Sequence, residues 1–204
     1  MMSFAKLFSD SAGELKKIST LTVSGMLIAM AVVLRNLSIN FSQDLRINFA
    51  FLGTMLIAML FGPVVSMMGA AGIDIIGYIL DGYKARDYNV ALLAVKLFAA
   101  VIYGVMLYKK TTGKSIAINS VVSRIISVLL CQLVLNSCVL YYSYTNRNFP
   151  FMSGSEWNAF AVWMTPRVIK NAVMLPVECA LTAFILPVAY QAYVRVFKRS
   201  RASA

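Results

Sequence analysis

The residues of this chain that could do chemistry sit in unexpected company. In TPRVIKNAVMLPVE, Thr165 to Glu178, two cations, an amide and a carboxylate stand inside an apolar run. At about 100° per residue from Arg167, helical winding brings Lys170 to about −60°, Asn171 to about +40°, Met174 to about −20° and Glu178 to about +20°. The polar set therefore shares one face, and Val168, Ile169, Ala172, Val173 and Leu175 take the other. Glu178 lies roughly 16 Å along the axis from Arg167 at a rise of about 1.5 Å per residue. Charge at such depth in an apolar helix is costly and faces a cavity or a partner. Two chemistries fit: an internal ion pair, Glu178 or Asp74 with Lys96 or Lys170, or a pocket for an anion. Arg46, Lys96, Arg167 and Lys170 are balanced within the apolar segments only by Asp74 and Glu178. That surplus favours an anionic ligand.

Aromatic residues gather near the same ends of the apolar segments: Phe49 and Phe51 after Arg46, Tyr83 and Tyr88 in a polar loop, and Phe149, Phe151, Trp157 and Trp163 before the last segment. They fit an interfacial belt or the stacking walls of a site for a flat ring. Gln132 and Asn136, one helical turn apart, offer amide hydrogen bonds to such a ring or between helices.

Catalysis has little to work with. There is no histidine, which removes the commonest general base and the usual ligand of catalytic zinc, so neither a metal nor a cofactor is expected. Cys131, Cys138 and Cys179 lie in apolar runs and read as small buried hydrophobes, not as a disulfide framework. Gly113-Lys114-Ser115 resembles the end of a Walker A loop, but Tyr108 stands where that loop requires its first glycine.

The elements that must position these residues are membrane spans. The chain is 204 residues long, 60% hydrophobic and 13% charged, and a helix needs roughly 20 apolar residues to cross a hydrocarbon core of about 30 Å. The pattern predicts an all-α, polytopic integral membrane protein, one membrane domain over 1–204, with six transmembrane helices near 18–37, 47–60, 64–80, 90–108, 121–144 and 163–193. Gly62-Pro63 marks a tight turn. The first fifteen or so residues read as a polar cap. The first apolar run is span-length and lacks a small-residue cleavage site, so it reads as a span and not a signal peptide.

The net charge of +11 follows the positive-inside pattern rather than that of a nucleic-acid binder. Lys6, Lys16 and Lys17, then Lys109, Lys110 and Lys114, then Arg195, Lys198, Arg199 and Arg201 mark three cytoplasmic regions, with Arg124 added at the inner end of the fifth span. Both termini are then cytoplasmic. Arg35, Arg46, Lys84, Arg86 and Arg147 belong to the outer loops and their edges, which leaves Lys96, Arg167 and Lys170 inside or at the mouth of outer helix ends. In the first span Ser24, Gly25 and Ala29 form a small-residue face, suited to internal packing or to docking another membrane subunit.

This order of features resembles the S components, the substrate-binding subunits, of energy-coupling factor (ECF) vitamin transporters. The likeness rests on LRINFAFLG (Leu45 to Gly53), MLFGPVVSMMGAAGIDIIG (Met59 to Gly77), Gly104 in AVIYGVMLYKK and the sixth helix, and it covers nearly the whole chain. TPRVIKNAVMLPVE is most similar to the folate-specific branch, whose last helix begins Pro-Arg-x-x-Lys-Asn-x-x-x-x-Pro. The chain departs at GYKARDYNVALL, where the family often has a Pro-Gly-Phe-Thr-like run, and in carrying Gly25-x-x-x-Ala29 for Ala-x-x-x-Ala.

The resemblance implies a subunit of the prokaryotic cell membrane that is not an enzyme and needs no cofactor. It would bind folate or a reduced folate from outside, then pass it inward by toppling against a transmembrane coupling subunit driven by two ATPases. By face and depth, Arg167 and Lys170 would then lie near the glutamate or the pocket mouth, with Arg46 and Lys96 as second candidates. Asn171 would bond the ligand, Asp74, Gln132 and Asn136 would face the pterin edge, and Phe49, Tyr83, Tyr88 and Trp163 would stack or form a lid. Gly25 and Ala29 would touch the coupling subunit. Its partners are then folate, that ATP-driven module and membrane lipid, not nucleic acid. The alternatives are an S component for another vitamin, such as pantothenate or thiamine, or a stand-alone secondary transporter.

Overall fold

A computed structural model describes residues 4–36, 39–40, 46–47, 49–80, 88–145 and 154–202. It is helical apart from one antiparallel pair of two-residue strands, β1 (Ile39–Asn40) and β2 (Arg46–Ile47). The helices are α1 (Phe4–Glu14), α2 (Ile18–Asn36), α3 (Ala50–Phe61), α4 (Pro63–Leu80), α5 (Val90–Leu107), α6 (Gly113–Ser127), α7 (Asn136–Thr145) and α8 (Gly154–Ala202). A π-wound stretch, Val128–Leu135, joins α6 to α7.

Among the described residues, five segments are long and apolar enough to cross a membrane: Ile18–Arg35, Pro63–Leu80, Val90–Leu107, Gly113–Ser143 and Phe160–Val196. The segment expected as the second span is helical only over the 12 residues of α3, about 18 Å at 1.5 Å per residue against a core of about 30 Å. It compensates by burial. Met55, Ile57 and Ala58 are fully enclosed, and the helix packs on α2, α4, α5 and α8, as suits a helix apolar on every side. The segment expected from residue 121 begins earlier, at Gly113. Its first turns carry buried Ser120 and Ser123, whose hydroxyls bond to carbonyls one turn back (2.7 Å to Ala117, 3.0 Å to Ser120), so polarity does not end the helix.

The residues expected as a polar cap form α1, which packs against α4. Its Ser11, fully buried, donates to the Phe61 carbonyl (2.8 Å) and accepts from the Val64 amide (3.0 Å). One hydroxyl thus caps the end of α3 and the start of α4, where both helices have unpaired backbone groups. Gly62 between them has φ +89°, a value L side chains rarely adopt. The Gly-Pro turn is therefore a one-residue joint.

On α2 the expected small-residue face divides. Gly25 and Ala29 are exposed, and nothing lies within 4 Å of where a Gly25 side chain would start. Ser24 points the other way, is buried, and bonds to the Leu21 carbonyl (3.0 Å). The three cysteines are free thiols, with Cys131 and Cys138 buried.

Candidate substrate-binding site

Helices α2 to α8 enclose a cavity of about 320 Å³, within the roughly 300–1,000 Å³ typical of small-molecule pockets. It lies between mid-bundle and the ends of α2, α4 and α5 that carry Arg35, Asp74 and Lys96.

Near that end, Asp74 gathers its neighbours. Its carboxylate, 7% exposed, accepts from Arg35 (3.4 Å), from Lys96 and, on the other oxygen, from the Tyr88 hydroxyl (3.4 Å). Gly77 permits the Arg35 contact, because a side chain there would collide with the guanidinium. Lys96 is placed by the start of α5, where the Asn89 side chain accepts from the Ala91 amide (3.0 Å) and donates to Ser143 (2.8 Å). That is an N-cap which also ties α5 to α7.

The floor is a second network. Arg124 donates to Glu178 Oε2 through Nε (3.1 Å) and Nη2 (2.9 Å), and to the Tyr103 hydroxyl (2.7 Å), which donates to Ser127 (2.8 Å). The guanidinium lies over the Phe51 ring, 3.8 Å from its centre, a cation–π contact strengthened by exclusion from water.

Between the two networks α8 contributes Lys170, Asn171, Met174 and Glu178 to the wall. These are four of the five residues that helical winding put on one face, and Val168, Ile169 and Val173 are exposed on the other. Arg167, the fifth, does not line the cavity; its guanidinium stacks on Trp163 (3.9 Å). Gln132 and Asn136 enter from the opposite side. Among the described residues, no side-chain hydrogen bond occupies the amides of Gln132, Asn136 or Asn171.

Of the residues singled out in the sequence, the cavity therefore brings together Asp74, Lys96, Gln132, Asn136, Lys170 and Asn171. Tyr88 stands beside it, bonded to Asp74 and edge-on to Tyr78 (5.0 Å). Trp163 belongs to an aromatic cluster with Tyr141 (5.7 Å) and Phe160 (6.3 Å). Phe49 packs on the core around Met55. Tyr83 lies outside the described residues, and Arg46 is described only as backbone in β2.

Two expectations need correcting. Arg124, counted with the cytoplasmic cations at the inner end of the fifth span, turns into the bundle instead: its side chain is 3% exposed, and it takes the Glu178 carboxylate, for which Lys96 and Lys170 were the partners considered. Of the pairs considered, Asp74 with Lys96 forms. The aromatic wall is Phe51 and Tyr103, not Phe49. Two residues apart on a helix point about 200° apart, so only packing could choose between Phe49 and Phe51. Arg35 was also missed, because its place at the end of α2 made it look like a loop charge.

A multi-helix membrane bundle with a polar, cation-rich cavity in its interior is the architecture of a membrane-embedded solute-binding protein. The family model for the substrate-specific component of ECF transporters matches residues 19–186, and the chain belongs to that family: a transporter's substrate-binding component, multi-pass in the cell membrane. It is 30% identical over 161 residues to the folate transporter FolT of Leuconostoc mesenteroides subsp. mesenteroides, covering 79% of this chain and 80% of that one. It is 27% identical over 165 residues to FolT of Clostridium novyi, covering 80% and 86%. Its fold is similar to a crystal structure of FolT bound with folic acid, with a TM-score of 0.61, 24% identity, and 82% and 90% of the two chains covered.

Proposed function

We propose that this chain is a folate-binding S component, capturing folate or a reduced folate from outside the cell. The observation that carries the reading is the cavity's charge. Among the described residues, Arg35, Lys96, Arg124 and Lys170 line it together with the carboxylates of Asp74 and Glu178, a cation-rich lining that suits an anionic ligand. The glutamate of a folate carries two negative charges. The relatives called folate transporters support the same ligand.

In this reading the glutamate end meets Lys170, Arg35 and Lys96, and Arg167 on its Trp163 stack extends the cationic track at the rim. The pterin lies deeper, beside Phe51, with Asp74, Gln132, Asn136 and Asn171 supplying the mixed donors and acceptors that its edge requires. Tyr88, bonded to Asp74, borders the entrance. Six spans place both termini in the cytoplasm, with α3 as a short, protein-covered second crossing. The exposed Gly25/Ala29 face of α2 docks a transmembrane coupling subunit served by two ATPases.

The test is to purify the chain alone, identify any co-purified ligand by mass spectrometry, and titrate folate against the fluorescence of Trp157 and Trp163. Tight folate binding without ATP, with uptake only after the coupling module is added, is the expected result. Preferential binding of pantothenate or thiamine, or uptake by the lone chain in liposomes, overturns it.

A further inference from the structure

The segment from Ser127 to Asn136, SVLLCQLVLN, has a periodicity that an α-helix cannot serve. Ser127, Cys131, Gln132 and Asn136 all line the cavity. Leu129, Leu130, Val134 and Leu135 are each more than a third exposed on the outside of the bundle. At about 100° per residue from Ser127, α winding puts Gln132 at about 140° and Asn136 at about 180°, turned away from the cavity, and Val134 at about −20°, into it. A π winding of about 4.4 residues per turn, roughly 82° per residue, reverses this. Cys131, Gln132 and Asn136 then fall between about −32° and +50°, and all four exposed residues fall outside that arc.

The backbone takes the second solution. Residues Val128–Leu135 are π-wound, and the Asn136 amide donates to the Cys131 carbonyl five residues back. That choice deprives the Gln132 carbonyl of the Asn136 amide it would bond in an α-helix. The buried Ser137 hydroxyl donates to it instead (3.4 Å). The two amides delivered to the cavity have no side-chain partner among the described residues.

We infer that the π-wound stretch 128–135 is a positioning device for the binding site. It turns Gln132 and Asn136 from the lipid face into the cavity, where they read a ring edge of alternating donors and acceptors, and Ser137 holds the return to α winding. The geometric part stands on its own; the ring as ligand rests on the folate reading above.

The test uses the full chain in lipid nanodiscs, with Cys131, Cys138 and Cys179 changed to Ser and single cysteines introduced by Leu129→Cys, Leu130→Cys, Gln132→Cys, Val134→Cys and Asn136→Cys. The probe is a small, charged, water-soluble methanethiosulfonate. Positions 132 and 136 are expected to react at least about tenfold faster than 129, 130 and 134, because reaction needs a water-accessible thiolate. Val134→Cys reacting as fast as Asn136→Cys, with Gln132→Cys slow, overturns the inference. Deleting Leu133 is a second arm. In a monodisperse deletion chain of unchanged helix content, Gln132→Cys should fall to the rate of the lipid-facing positions; an unchanged rate overturns the inference. Folate added before labelling should protect positions 132 and 136. Labelling that follows the π pattern without protection by folate supports the winding and sinks only the folate assignment.

Discussion

Arg124 and Glu178, fifty-four residues apart in sequence, close the floor of the cavity through two hydrogen bonds to a single carboxylate oxygen, 2.9 and 3.1 Å long. Both side chains are largely out of water, 3% and 12% exposed. Removing one partner from such a pair leaves a buried charge uncompensated, a cost of about 3–5 kcal/mol, whereas replacing both by apolar groups of similar volume is often neutral. Glu178→Ala is therefore expected to lower the thermal midpoint in detergent sharply, and Arg124→Met combined with Glu178→Leu to restore most of it. Equal loss in the single and double variants would show that the pair is not a stability unit.

The cations nearer the mouth should discriminate by ligand charge. Lys170→Ala is expected to weaken folate binding about tenfold, equivalent to about 1.4 kcal/mol, and to leave pteroate, which lacks the glutamate, nearly unaffected. Calorimetric titration of both ligands at two salt concentrations reads this directly. A parallel loss for the two ligands would remove Lys170 from the glutamate subsite.

On the proposed function, a change at Gly25 is expected to separate binding from transport. A side chain there meets open space, so Gly25→Leu should leave the fold and folate affinity unchanged while obstructing close helix–helix approach. Uptake into proteoliposomes containing the coupling module is expected to fall at least about fivefold while affinity stays within about twofold. Undiminished uptake would move the coupling surface elsewhere.

Away from the spans, Lys109 reaches Asp10 and ties the α5–α6 turn to α1. The Lys109 hydrogen bond holds the Asp10 carboxyl below its usual 3.8, and Asp10 holds the Lys109 ammonium above its usual 10.5. A depressed carboxyl contributes stability that is complete above its unfolded value and lost as pH falls through its folded one; a raised ammonium contributes below its unfolded value and loses it as pH rises through its folded one. The small difference in thermal midpoint between the wild type and Asp10→Asn should therefore be flat across neutral pH and vanish below the carboxyl's folded value. A difference that changes between pH 6 and 8 would point to another partner.

Much of this was readable in the chain. Apolar length gave the helices because a hydrocarbon core admits little besides helices and closed barrels. The period of α8 gave one wall of the cavity because Lys170, Asn171, Met174 and Glu178 recur at helical spacing whatever surrounds them. Pairing was not readable. Asp74 could be matched with Lys96, but the partner of Glu178 was Arg124, which the positive-inside count had grouped with the cytoplasmic cations at the inner end of the fifth span.

By itself, then, the sequence determined that this is a helical membrane protein with a deeply placed polar face and too few carboxylates for its cations, because composition, period and charge are local quantities. The tertiary structure decided which charges meet, which of Phe49 and Phe51 faces the cavity, and that Gln132 and Asn136 turn inward at all. The first two depend on how helices distant in sequence pack. The third depends on a departure from α winding that lets the lipid face and the cavity face of one span be satisfied together.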